Sequence, residues 1–459
     1  MPTDPRALLR SRSYLMLLAL AAAIGAPVSA VAYGYLALVG CLQKEVFTRL
    51  PHGLGFHTEP AWWPLPVLAV GGVLAGLGIR YLPGRGGPSP AGGFTLHGPP
   101  TAEQLPGVIL VSLATLIFGA VLGPEMPLIA LGGGLAALAV RLARRDAPDR
   151  VRAVAASAGS FAAISTLLGS PLTGAFLLME ASGLGGQALG MVLLPGLLAS
   201  GVGSLIFTGL DAWSGLGSFS LAIPDVPHFG RPSLAEFGWA VVIGVAAALA
   251  GSAVRRLAPL LHGYAARRVL VTTPLAGLLA AALAVAYTEG TGKPSSDVLF
   301  SGQSTLPVLV QHAAGYTVGA LLLLAAGKGL AYIASLAAFR GGPTFPALLI
   351  GAAGGIALSR LPGLPLVAGA AMGVGAMAAV MLTLPLTSVL LAAILFPGSA
   401  LTLTPLVIVA VVVAHVTAAR LAPGDGSRPA VPAQAAAPAQ AAAPAGEAAA
   451  PGAVADPQS

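Results

Sequence analysis

Glu125, Glu180 and Lys328 stand alone in long apolar sequence. Each is the only Asp, Glu, Lys or Arg in its stretch: Glu125 between Glu103 and Arg141, Glu180 between Arg152 and Asp211, Lys328 between Asp297 and Arg340. A charge at bilayer depth costs roughly 2.5–3.5 kcal/mol on the mildest scale, so residues kept there are partnered or do work. Glu125 has the most telling surroundings, Gly123-Pro124-Glu125-Met126-Pro127 followed by the apolar run LIALGGGLAALAV. Gly-Pro breaks the chain and Pro127 suits a first helical turn. The carboxylate therefore stands at a helix start, where free N–H groups and the positive end of the dipole attract anions. That place suits a carboxylate that competes with a permeant anion and would vacate the seat when protonated or swung away. A first-turn glutamate in a wet loop would carry the same local signature; the uncharged runs on both sides favour the working role. A second helix start has the same grammar, Arg340-Gly341-Gly342-Pro343-Thr344-Phe345-Pro346 leading into ALLIGAAGGIAL. Taken alone, it reads as a corner between two helices.

The elements that carry these residues are membrane helices. The chain has 459 residues, of which 56% are hydrophobic and 8% charged, against about 25% charged in an ordinary soluble domain. Mean hydropathy is +0.86. So few charges cannot clothe a soluble enzyme, a nucleic-acid binder or a disordered scaffold in water. At about 20 residues per crossing the apolar sequence allows on the order of ten or more spans. The 61 glycines and 39 prolines predict short or broken helices, tolerated in a membrane only where backbone is buried in protein or lines a wet cavity.

The net charge of +7 does not point to nucleic acid, because the arginines form short clusters between apolar runs and no basic stripe with interleaved aromatics. Arg141, Arg144, Arg145, Arg150 and Arg152 mark one cytoplasmic loop; Arg255, Arg256, Arg267 and Arg268 mark another, around His262. Arg6, Arg10 and Arg12 precede an apolar run that continues to about Gly40, long enough to span, so the N-terminus reads as an uncleaved first helix with a cytoplasmic start. The lone Cys41 excludes an internal disulfide and a Cys-rich metal site and is expected to pack inside a helix. Trp62 and Trp63 read as an interfacial belt. No H-E-x-x-H, Ser/His or paired-Asp constellation supports an enzyme.

The organisation expected is a cytoplasmic segment 1–13, a membrane half 14–210, a connecting loop 211–234, a second membrane half 235–421 and an Ala/Pro-rich tail 422–459 with no pattern to bury. Ser170-Pro171-Leu172-Thr173-Gly174 recurs as Leu384-Pro385-Leu386-Thr387-Ser388, near the end of each half. Corresponding interrupted helices point to a repeat architecture with a site between the halves.

In order and spacing, these motifs resemble the CLC family of chloride channels and chloride/proton antiporters over most of residues 14–420. Gly123-Pro124-Glu125-Met126-Pro127 resembles the family's G-[RK]-E-G-P motif with its gating glutamate. Gly342-Pro343-Thr344-Phe345-Pro346 resembles G-x-F-x-P, with the aromatic displaced by one position. The two Pro-Leu-Thr starts resemble the family's A-P-L-x-G helix and its counterpart, Lys328 with GLAYIASLAAF the segment before G-x-F-x-P, and Phe300-Ser301-Gly302-Gln303-Ser304 the G-x-G turn upstream. The resemblance implies an all-α integral membrane fold, a CLC-like inverted repeat of short, tilted and broken helices. It also implies a homodimer in the cell membrane, termini cytoplasmic, with one anion pore per subunit, no cofactor and no metal.

Carried over residue by residue, the resemblance makes Glu125 the gate and Gly87, Met126, Thr344 and Phe345 the anion-binding positions. Departures affect the ion: Gly87 stands where the family's G-S-G-I-P serine would fall, Pro124 and Pro343 have no N–H to offer, and no Tyr follows Tyr332. Chloride is the first expectation; fluoride, nitrate or a small organic anion are the alternatives. The antiporters' internal glutamate position is Ala181, so neighbouring Glu180 is either a stand-in on a proton pathway or a structural acid, and proton coupling stays open. Lys328 reads as a structural counter-charge or snorkelling cation.

Overall fold

The computed structural model describes residues 11–183, 186–215 and 221–422. The first ten residues and the Ala/Pro-rich segment from Pro423 lie outside the described residues, as does part of the connecting loop. In the first half, α1 (Arg12–Lys44) is capped by Ser11, whose hydroxyl accepts from the Tyr14 amide. Then come α2 (Pro64–Tyr81), α3 (Leu105–Ile117), α4 (Glu125–Ala143), α5 (Asp149–Leu168), α6 (Pro171–Ser182) and α7 (Gly186–Ser214). The second half contains α8 (Leu234–Ala265), α9 (Val269–Thr291), α10 (Thr305–Gln311), α11 (Val318–Ala338), α12 (Thr344–Leu358), α13 (Leu366–Leu382), α14 (Pro385–Leu395) and α15 (Ala400–Leu421). Among the described residues nine helices are long and apolar enough to cross a membrane, while α3, α12, α13 and α14 are shorter apolar helices. Large side chains such as Leu205, Leu249 and Leu401 face outward, as a lipid-facing surface requires.

The order α3 to α7 recurs as α11 to α15. In both, a Gly-Pro break precedes the second helix. The third helix ends on a left-handed residue, Gly169 (φ 62°) or Thr383 (φ 58°). A short helix then starts on proline, α6 or α14. Thr383 pays steric strain that Gly169 does not, on the order of 1 kcal/mol, to keep the same turn. The packing recurs too. A Cβ on Gly132 of α4 would fall 2.3 Å from the Gly159 carbonyl of α5, and one on Gly351 of α12 would fall 2.2 Å from that of Gly373 of α13. Close backbone approach of this kind is how membrane helices gain van der Waals contact without a hydrophobic driving force between them.

Four expectations change. The first helix runs past Gly40, through Lys44 and on to Gly53 as one span. Cys41 lies on it but is exposed, because an apolar helix in lipid has an outer face as apolar as its inner one. Trp63 is buried, its Nε1 donating to the Val46 carbonyl (3.1 Å), and only Trp62 is exposed. Arg255, Arg256 and His262 belong to α8 and not to a loop; the two arginines donate to the carbonyls of Val380 and Leu421, so the helix continues past its charges.

Candidate functional site

The two Gly-Pro breaks meet. The amide of Gly123 donates to the carbonyl of Gly342 (2.8 Å) and the amide of Gly342 to that of Gly123 (2.6 Å), an isolated antiparallel pair. Both chains then turn through proline into helices, α4 at Glu125 and α12 at Thr344. Gly-Pro-x-x-Pro, present in both copies, is thus the local code: glycine for close pairing, proline to leave the pair, helix immediately after. The pairing brings two helix N-termini together. Each carries roughly half a positive charge in unsatisfied N–H groups, so the junction favours an anion between them.

Glu125 supplies one. Its side chain is fully buried, and its Oε1 accepts from the Phe345 amide (3.0 Å) in the first turn of α12. Oε2 has no hydrogen-bond partner, nor does the nearby buried hydroxyl of Thr344. The walls are glycine: a Cβ on Gly342 would lie 1.6 Å from Oε2, and one on Gly123 2.2 Å from it. The carboxylate occupies a slot fitted to a small anion, with only part of its hydrogen-bonding capacity met.

Helix α11 holds the slot from behind. Lys328, Tyr332 and Ser335, at i, i+4 and i+7, form a polar stripe in an otherwise apolar helix. Lys328 Nζ, fully buried, lies within 2.9–3.3 Å of the carbonyls of Asp297, Val298, Leu299 and Phe300. Asp297 accepts from Tyr316 (2.9 Å) and Tyr287 (3.3 Å); burial lifts its carboxyl above the usual carboxylate range, and these hydroxyls partly offset that. The clamped turn bears on the Glu125 loop, since the Phe300 amide donates to Gly119 (3.1 Å). Tyr332 donates to the Pro343 carbonyl (2.6 Å), and Ser335 Oγ accepts from the Val121 amide (3.0 Å). One helix face thus pins both loops of the slot.

Of the residues singled out in the sequence, Glu125, Thr344 and Phe345 come together at the slot. Met126 follows Glu125 in the first turn of α4 and is half-buried. Gly87 lies in a turn where Gly84, Arg85, Gly86 and Gly87 all have positive φ; its carbonyl accepts from Arg340 Nε (3.2 Å), which ties that turn to the chain just before Gly342. Glu180 sits elsewhere, at the start of α14. Its carboxylate accepts from the amides of Leu386 (2.9 Å) and Thr387 (2.7 Å) and from the Thr387 hydroxyl (2.6 Å). Lys328 is fully buried with its ammonium on four backbone carbonyls, and so does not snorkel outward. Tyr332, Ser335 and Arg340 were not singled out; the i, i+4, i+7 spacing from Lys328 was the available signal for the first two.

A chain of apolar helices in two repeated halves, with a carboxylate lodged where two broken helices begin, defines a multi-pass membrane protein of the ion-transport kind. Residues 71–419 match the family model described as voltage gated chloride channel. The chain is 30% identical over 363 residues to "Putative ion-transport protein YfeO" of Escherichia coli O1:K1 / APEC, covering 78% of this chain and 82% of that one. Two solved structures share the fold at 19% identity, each covering 88% of this chain and 95% of its own. One is a slow cyanobacterial Cl-/H+ antiporter (TM-score 0.72), the other a CLC-type fluoride/proton antiporter (TM-score 0.64). The chain belongs to the voltage-gated chloride channel (CLC) family.

Proposed function

We propose that this protein carries a small inorganic anion, chloride first, across the cell membrane, with Glu125 as a carboxylate plug that exchanges with the anion at the start of α12. The observation that carries this reading is the lodging of Glu125: full burial, an Oε1 held by the Phe345 amide at the start of α12, and an unpartnered Oε2 in a glycine-walled slot. A buried carboxylate so incompletely bonded is costly to keep, so the seat is readily ceded to an anion that brings the same charge. The unpartnered Thr344 hydroxyl and the first-turn amides of α12 are the donors offered to that anion. Protonation of Glu125 removes its competing charge, so acid opens the path.

Gly87, Met126, Thr344 and Phe345 form the anion route in this reading, and two copies of the chain assemble as a homodimer with one route each. Glu180 is assigned a capping role, since its carboxylate accepts from two amides and a hydroxyl at the start of α14, three of roughly four lone-pair sites. Anion efflux from proteoliposomes tests the gate. Wild-type efflux rises as pH falls, and Glu125→Gln makes efflux independent of pH. Full pH dependence in that variant sinks the proposal. The same vesicles loaded with fluoride, nitrate or a small carboxylate rank the substrates, and a reversal potential under a proton gradient separates channel from exchanger.

A further inference from the structure

A second anion-seeking feature lies away from the Glu125 slot. A cavity of about 580 Å³ opens where α2 and α8 end and α9 begins; Arg80, Arg85, Arg267, Arg268, Arg340 and His262 supply its polar walls. No Asp or Glu lines it, and the two ion pairs among the described residues, Arg49–Glu45 and Arg152–Asp149, lie elsewhere. Several carbonyls of its walls already accept hydrogen bonds. At the end of α11, the Ala337 carbonyl takes His262 Nδ1 (2.7 Å), that of Ala338 takes the Thr273 hydroxyl (3.4 Å), and that of Phe339 takes Arg340 Nη1 (3.1 Å). The Ala265 carbonyl takes the Arg268 amide (3.2 Å) and the Thr272 hydroxyl (2.9 Å). The donors are not used up: α9 starts at Val269 without a side-chain cap, and although the amides of Val271 and Thr272 reach the Arg268 carbonyl (2.9 Å each), the first two, of Val269 and Leu270, precede any intrahelical acceptor. Arg85 is held at the rim by a left-handed backbone (φ 49°) among three glycines of positive φ, a strained conformation of the kind that persists where function requires it.

We propose that this cavity binds a polyvalent phosphate, a group of two or more linked or adjacent phosphates. Five guanidiniums without a carboxylate repel one another, and a monovalent halide would leave most of that charge unmatched. Guanidinium forks match phosphate oxygens two at a time, and the volume suits a ligand of that size. The phosphates can come from solution or from an anionic lipid, because basic pockets between membrane helices near the interface also take headgroups. Both sources present the same chemistry.

Full-length protein in neutral detergent is titrated with tripolyphosphate by calorimetry at fixed ionic strength, and separately reconstituted in nanodiscs containing cardiolipin or phosphatidylcholine alone for native mass spectrometry. The variants are Arg267→Gln/Arg268→Gln and, independently, Arg85→Gln at the exposed rim; Arg340 is left intact because it also serves the Gly87 turn. Circular dichroism and gel filtration establish folding of each. Saturable tripolyphosphate binding weakened at least about tenfold in the variants supports the site with a soluble ligand. Cardiolipin retained by the wild type and lost from the variants, without tripolyphosphate binding, supports it with a lipid headgroup. Absence of both in the wild type overturns the proposal, as does binding that both folded variants keep.

Discussion

Glu125 and Glu180 answer the same physical demand in opposite ways. Both are first-half carboxylates placed on the N-terminus of a second-half helix, α12 or α14. Glu180 is half-buried and receives three donors, two amides and a hydroxyl. Glu125 is fully buried, its Oε1 accepts from the Phe345 amide across the junction, and its Oε2 is without a partner. The helices meet differently as well. Glu180 stands in the last turn of α6, so a helix C-terminal end approaches the start of α14. Glu125 stands where two N-terminal ends converge, α4 and α12, paired through Gly123 and Gly342. Two positive ends favour an anion between them; a carboxylate held by three donors is fixed in place, whereas one with an unpartnered oxygen is more readily exchanged. In the proposed reading, this contrast is what makes Glu125 a gate and Glu180 a cap.

The largest test of that contrast is Gly342→Ala. Its methyl would occupy the position now held by Glu125 Oε2, 1.6 Å away, so the carboxylate must leave and the small slot is filled. Anion efflux is expected to fall at least about tenfold, equivalent to about 1.4 kcal/mol in barrier, and to lose its response to pH. Wild-type rates and an intact pH response would mean that the slot lies off the route.

Glu180→Gln comes next. The carboxamide keeps the shape but trades an acceptor for a donor that must face the amide of Leu386 or of Thr387. Loss of a helix cap costs about 1 kcal/mol, which should lower the unfolding midpoint in detergent by a few degrees. The pH profile of efflux and the reversal potential under a proton gradient are expected to match wild type. A changed reversal potential would turn the cap into a proton carrier and dissolve the contrast.

How much of this was legible beforehand follows from the physics of each part. Isolation in apolar sequence exposed Glu125, Glu180 and Lys328, because charge is costly in lipid wherever its partner lies. Gly-Pro and Pro-Leu-Thr marked the helix starts, since proline acts locally. The partners were hidden: Glu180 meets a helix start 206 residues away, and Gly87 reaches the slot only through Arg340. The inner and outer faces of the helices were hidden too. Lipid-facing and protein-facing residues are both apolar, so Cys41 and Trp63 could not be assigned to a side from periodicity. The break at Thr383 lacks a glycine to announce it, although its counterpart Gly169 has one. The arginine cavity draws on α2, the Gly87 turn, the α8–α9 corner and the end of α11, segments that only the fold assembles.

The finest distinction concerns two threonines in the first turns of α12 and α14. Thr387 and Thr344 are both fully buried, and valine is nearly the same shape as threonine. Thr387 donates to the Glu180 carboxylate at 2.6 Å, a charge-assisted bond, so Thr387→Val should cost roughly 1.5 kcal/mol of stability and leave anion efflux per folded protein unchanged. Thr344 has a hydroxyl without a partner. Replacing an unsatisfied buried hydroxyl by a methyl relieves a desolvation cost, so Thr344→Val should hold or raise the unfolding midpoint. If that hydroxyl is spared for the passing anion, the same variant should slow efflux severalfold. The two substitutions thus trade places, one changing stability without transport and the other transport without stability. Equal destabilisation by both would show that the start of α12 is only a cap, and Glu125 no more a gate than Glu180.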